Sequence, residues 1–98
     1  IPNPHWKETL RDKTGNDKAV SEYVLSQPGV DQFLDTYLAT LKTVLAGYRR
    51  ENKRFATVAI GCTGGKHRSV ALTNKMAKLL SEDSEIQVAA SHRDLGRE

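Results

Sequence analysis

The clearest pattern in the chain is a run of apolar residues at three- and four-residue steps from Val30 to Tyr48. This spacing places the apolar side chains on one face of an α-helix. It predicts a long amphipathic helix that starts near Asp31, ends near Gly47 and turns its apolar face to the core. That face comprises Val30, Phe33, Leu34, Tyr37, Leu38, Leu41, Val44, Leu45 and Tyr48.

Two shorter helices are predicted on either side of the long one. Residues 14–17 predict a turn, and Asp17 is a suitable N-cap for a helix that carries Val20, Tyr23 and Val24. Pro28-Gly29 ends that helix because proline cannot continue it. A further amphipathic helix is predicted over residues 68–80.

The remaining segments predict strands. Residues 55–60 (Phe-Ala-Thr-Val-Ala-Ile) form a continuous apolar run, which is typical of a strand buried in a parallel sheet. Residues 86–91 predict a second strand, and prolines on both sides of Asn3 predict an extended segment over residues 1–6. The order strand, helix, strand predicts a right-handed crossover and hence an α/β fold, a small layered domain with a largely parallel sheet. Ligands bind beyond the carboxyl ends of such strands, where residues 61–69 lie.

Residues 61–69 (Gly-Cys-Thr-Gly-Gly-Lys-His-Arg-Ser) predict an anion-binding loop for a phosphorylated small molecule. Gly64 and Gly65 allow the backbone to approach an oxyanion, and a helix N-terminus follows with its unpaired N–H groups. The loop is not a Walker A motif, which needs four residues where this chain has three between Gly61 and Gly65. Its side-chain donors are Thr63, Lys66, His67, Arg68 and Ser69.

An enzymatic alternative remains open for the same loop. Cys62 and Arg68 are spaced as Cys-x5-Arg, which resembles the signature of cysteine-dependent phosphatases. Gly61 stands where tyrosine phosphatases carry a histidine, and the sequence assigns no proton donor, although Asp12 and Asp94 are candidates.

Composition narrows the possible classes of protein and of ligand further. The 98 residues suit one domain, and the net charge of +3 with a pI near 9.2 suits anionic ligands. A single cysteine excludes an intrachain disulfide, which fits a cytoplasmic protein, and we expect no metal site and no membrane contact. The basic residues at 49–54 have two interpretations, a solvated helix C-terminus or a nucleic-acid patch.

Read as a whole, residues 60–70 closely resemble the hallmark loop of the RapZ family, bacterial proteins with an N-terminal P-loop nucleotide-binding domain and a separate C-terminal domain. The resemblance extends to Pro-Asn-Pro-His-Trp at residues 2–6, to Leu-Arg and Thr-Gly at residues 10–15, to the long helix and to the tail at 91–95. It covers essentially the entire chain.

The resemblance implies that residues 1–98 are a RapZ-like C-terminal ligand-binding domain, similar in fold to a phosphofructokinase subdomain. Such a domain would be a non-catalytic regulatory unit that senses glucosamine-6-phosphate or UDP-N-acetylglucosamine. It would hold no cofactor of its own, since ATP or GTP would belong to the N-terminal domain. Some members also bind small regulatory RNA, and members tend to form homo-oligomers.

The resemblance also assigns residues. Lys66, Arg68 and Arg93 would contact RNA, although Asp94 and Glu98 make this tail mixed in charge rather than strongly basic. We expect Trp6 to pack against the core rather than to stack on a sugar or base. The ligand-binding set would be His5, Cys62, Thr63, Gly64, Gly65, His67, Arg68 and Ser69.

Overall fold

The structure, a computed structural model, describes residues 1–83 and 86–95. Three α-helices within these ranges confirm the predicted helices. They are α1 (Lys18–Leu25), α2 (Val30–Arg50) and α3 (Arg68–Ser81). Short 3-10 turns at Pro4–Trp6 and Thr63–Gly65 complete the regular structure. The predicted tail beyond residue 95 lies outside the described residues.

The boundaries of α1 and α2 follow from local chemistry. Asp17 occupies the N-cap of α1, but its carboxylate accepts the N–H of Thr14 at 2.8 Å and so closes the preceding turn instead of capping the helix. Pro28 and Gly29 separate α1 from α2, and Gly29 has a φ of +85°. A side chain at that φ would be strained, so glycine suits the sharp entry into α2.

The core lies where α1 and the first half of α2 pack against α3. Val20 and Val24 of α1 are fully buried, and burial of such a side chain contributes roughly 1.5–3 kcal/mol. The apolar face of α2 is only partly covered, because Phe33 is 46% exposed and Val44 is 42% exposed. No described helix combines the length and the hydropathy needed to cross a lipid bilayer. The other core residues are Leu10, Val30, Leu34, Leu38, Leu41, Ala71, Leu72 and Met76.

The predicted α/β fold with a parallel sheet is wrong for the described chain, which is helical and contains no strand in residues 1–83 and 86–95. A strand needs hydrogen-bonded partners for its backbone. Within the described ranges, no backbone hydrogen bond joins residues 55–60 to residues 86–91 or to any other extended segment. The likeness to a phosphofructokinase subdomain therefore fails with the sheet.

The two extended segments instead flank an open groove of about 380 Å³. Side chains of the second half of α2 and of α3, including Leu45 and Met76, also line it. Phe55 is 89% exposed, and Val58 and Val88 are 38% and 37% exposed. Apolar residues in these segments thus face solvent, and the position of the loop is set by the start of α3 rather than by a sheet.

Candidate anion-binding site

Residues 61–67 connect the first extended segment to α3, and the middle of this loop is open to solvent. Thr63 and Gly64 are exposed, while Gly65 is half-buried. Gly64 and Gly65 have φ values of +82° and +63°, in the left-handed region that glycine adopts without strain. Both positions therefore have a backbone conformation that favours glycine, whereas their predicted approach to an oxyanion stays a prediction.

Cys62 caps the start of α3 with its sulfur. The Ser69 N–H, which lies in the first turn of α3, donates to the Cys62 Sγ at 3.3 Å, whereas the residue at the N-cap position, His67, makes no side-chain cap. The sulfur thus satisfies an N–H group that Ser, Thr or Asp usually caps.

The environment of Cys62 favours negative charge. Partial burial, the largest single influence, raises the pKa of the thiol, whereas hydrogen bonds from the hydroxyl and the N–H of Ser69 lower it. With further contributions from the Gly65 N–H and the charge of Arg68, the pKa falls below its usual value of 9.0. Donors and a cation therefore converge on this point, as an anion site requires.

Arg68 is the first residue of α3, directly after the loop, and one of its hydrogen-bond donors has no acceptor among the described residues. One terminal amino group donates to the carbonyl of Ile1 at 3.1 Å. The Nε atom is buried and has no acceptor among the described residues. A buried unpaired donor is costly, so an oxyanion beside Arg68 would relieve that cost and form a charge-assisted hydrogen bond.

The turn that precedes α1 contacts residues 61–67 and fixes their position. The Gly15 N–H donates to the Lys66 carbonyl at 2.9 Å, and the Nε2 of His67 donates to the Arg11 carbonyl at 3.1 Å. A Cβ at Gly15 would lie 2.6 Å from the His67 carbonyl oxygen and 2.7 Å from the Cβ of Val70. His67 is only 5% exposed, so its ring supports the loop more than it faces solvent.

A second support comes from the tail, where the sequence predicted Asp94 only as a candidate proton donor for the loop. The Asp94 side chain lies against Gly65 so closely that a Cβ there would be 2.8 Å from the carboxylate Oδ2. The Nε2 of His92 bonds to the Oδ1 of Asn74 at 2.9 Å, and the amide of Asn74 donates to the Oδ1 of Asn16 at 2.7 Å. The tail therefore contacts the loop at Gly65 and is joined through Asn74 to α3 and to the turn.

His5 and Trp6 lie at the margin of this arrangement. The His5 carbonyl accepts the Nε of Arg11 at 2.9 Å, so Arg11 connects His5 to the loop residue His67. The His5 ring is exposed, and it meets Trp6 edge-on at 5.3 Å between centroids. Trp6 is 78% exposed, so the expectation that it packs in the core is wrong.

The three residues assigned to RNA differ in their surroundings. Lys66 and Arg68 are half-buried, whereas Arg93 is exposed and pairs with Asp94 at 3.2 Å. No group of three or more metal-binding side chains occurs in the part of the chain that the structure describes.

Comparisons with known proteins identify the family of this chain. The sequence model of the RapZ C-terminal domain matches residues 1–96. The whole chain is 59% identical to a nucleotide-binding protein of Mycobacteroides abscessus and 57% identical to nucleotide-binding proteins of Pseudarthrobacter chlorophenolicus and Mycobacterium marinum. It covers 33%, 32% and 32% of their lengths, so it spans about a third of these relatives. The chain therefore belongs to the RapZ C-terminal domain family.

Proposed function

We propose that this chain is a regulatory domain, without catalytic activity, that binds an amino-sugar phosphate or a UDP-linked amino sugar through residues 61–69. The observation that carries the proposal is the buried Nε of Arg68, a charged donor with no acceptor among the described residues. The phosphate of the ligand supplies that acceptor.

The surroundings of Arg68 support the same assignment. The loop leads into the N-terminus of α3, where N–H groups and the helix dipole attract anions. The lowered pKa of Cys62 indicates that the electrostatic potential at the loop favours a negatively charged group. An anion placed here gains from several donors that are fixed before it binds.

The proposal divides the assigned residues into two groups. Exposed Thr63 and Gly64, together with Gly65 and Arg68, contact phosphate. Cys62, His67 and Ser69 hold the loop in place, because their polar atoms are already engaged with each other or with Arg11. His5 is a peripheral contact to the sugar.

A thermal-shift experiment tests the proposal. Glucosamine-6-phosphate at a hundredfold excess over Kd adds about 2.7 kcal/mol to the free energy of unfolding, which raises the Tm by roughly 10–20 °C in a domain of this size. Arg68→Ala abolishes the shift, whereas Arg50→Ala, which removes an exposed arginine from the end of α2, leaves it unchanged. The absence of a shift with glucosamine-6-phosphate and with UDP-N-acetylglucosamine would contradict the proposal.

One observation favours a second candidate, a cysteine-dependent phosphatase. The Cys62 thiol has a lowered pKa and lies beside Arg68, and Asp94 is the acid that the structure places against the loop. In that reaction the thiolate attacks phosphorus, Arg68 stabilises the phosphoryl oxygens and Asp94 protonates the leaving oxygen. Turnover of p-nitrophenyl phosphate that is lost in Cys62→Ser would support the phosphatase, and no turnover by the parent would remove it.

A further inference from the structure

Asp94 introduces a negative charge beside a loop that is otherwise suited to bind anions. Its side chain touches Gly65, with the carboxylate Oδ2 2.8 Å from the position that a Cβ would take. The contact depends on glycine at position 65, since any side chain there would displace the carboxylate. A bound phosphate would therefore have a carboxylate as its neighbour.

Two anions at such close range repel each other unless a cation lies between or beside them. Arg93 is the present partner of Asp94, through hydrogen bonds of 3.2 and 3.3 Å to its two carboxylate oxygens. Arg93 is 81% exposed, and pairs of this kind contribute little because water screens them. A ligand can therefore replace Arg93 as the partner of Asp94 at small cost.

We propose that Asp94 is a specificity-determining residue that binds the ammonium group of the ligand while the loop binds its phosphate. The inference rests on the proposed function and assigns one residue, Asp94, to recognition of the amine that distinguishes its ligand from other sugar phosphates. An otherwise identical ligand with a hydroxyl in place of the amine leaves the phosphate beside a carboxylate whose partner is the exposed Arg93.

The test measures the Kd of glucosamine-6-phosphate and of glucose-6-phosphate by calorimetry, at a pH where the amine is protonated. We expect the parent domain to prefer the aminated ligand, and Asp94→Asn to reduce that preference about tenfold, as expected for the loss of a charged hydrogen bond. Asp94→Glu keeps the carboxylate and retains a preference. Asp35→Asn makes the same change of charge on the exposed side of α2 and serves as the control.

The outcomes separate this inference from the proposed function. If Asp94→Asn keeps the full preference for the amine, or if the parent binds both ligands equally, the inference is overturned while phosphate binding stands. If neither ligand binds the parent, the inference is overturned; the proposed function fails as well only if UDP-N-acetylglucosamine does not bind either. Loss of the preference in Asp94→Asn, with binding of glucose-6-phosphate retained, supports both.

Discussion

Gly15→Ala should destabilise the domain, because Gly15 occupies a site that has no room for a side chain. The added Cβ would lie 2.6 Å from the His67 carbonyl oxygen and 2.7 Å from the Cβ of Val70. Both belong to the first turn of α3 or to the residue that precedes it, so they cannot move aside without moving the helix. The substitution also strains the hydrogen bond from the Gly15 N–H to the Lys66 carbonyl.

Overpacking of this kind costs about 1–3 kcal/mol, and the contacts with backbone at Gly15 place it toward the upper end. In a domain of this length, that loss lowers the Tm by roughly 8–20 °C. Scanning calorimetry on Gly15→Ala measures it directly. The matched control is Gly47→Ala in α2, where the new Cβ would meet only the Arg50 guanidinium, at the ordinary distance of 3.6 Å.

The two substitutions should have opposite effects. Alanine is the better helix former, so Gly47→Ala is expected to stabilise the domain by about 0.5–1 kcal/mol. A Tm for Gly15→Ala at or above that of the parent would refute the close packing of the turn against α3. It would also contradict the claim that the turn before α1 holds residues 61–67 in place.

Three further predictions concern the Cys62 thiol, the segments outside the helices and the proposed affinity for RNA. Because the pKa of Cys62 is lower in the folded state, the thiolate stabilises the fold fully above pH 9 and progressively less as the pH falls through the folded pKa. The free energy of unfolding lost in Cys62→Ser, measured by urea unfolding, should therefore be larger at pH 9 than at pH 7. Backbone amides in residues 55–60 and 86–91 should exchange with deuterium much faster than those in the middle of α3, and strong protection there would show a sheet or an assembly. Any affinity for RNA should fall steeply with salt and weaken in Lys66→Ala, and an affinity that salt does not change would contradict a contact through phosphates.

The helices were predictable because their signals are local. The apolar stripe of α2 repeats over many residues, and Pro28-Gly29 marks its start without reference to the rest of the chain. The loop is also marked locally by its two adjacent glycines, and both adopt the left-handed backbone region. Local patterns did not show how much of α2 is covered, since Val44 remains 42% exposed.

The failed predictions concern partners that are distant in sequence. A short apolar run such as residues 55–60 is compatible with a buried strand, but the sequence does not show whether a neighbouring backbone is in place to pair with it. Within the described ranges no pairing occurs, and Phe55 is 89% exposed. The contact between Gly65 and Asp94 likewise joins residues 29 positions apart and leaves no periodic signal.

The most direct test of the central claim is a titration of the isotope-labelled domain with glucosamine-6-phosphate, followed by the amide signals in a ¹⁵N–¹H spectrum. Our account predicts that the largest shifts occur at Gly64, Gly65 and Arg68, and that they disappear in Arg68→Ala. Shifts confined to residues 55–60 and 86–91 along the groove, or no shifts at millimolar ligand, would contradict it.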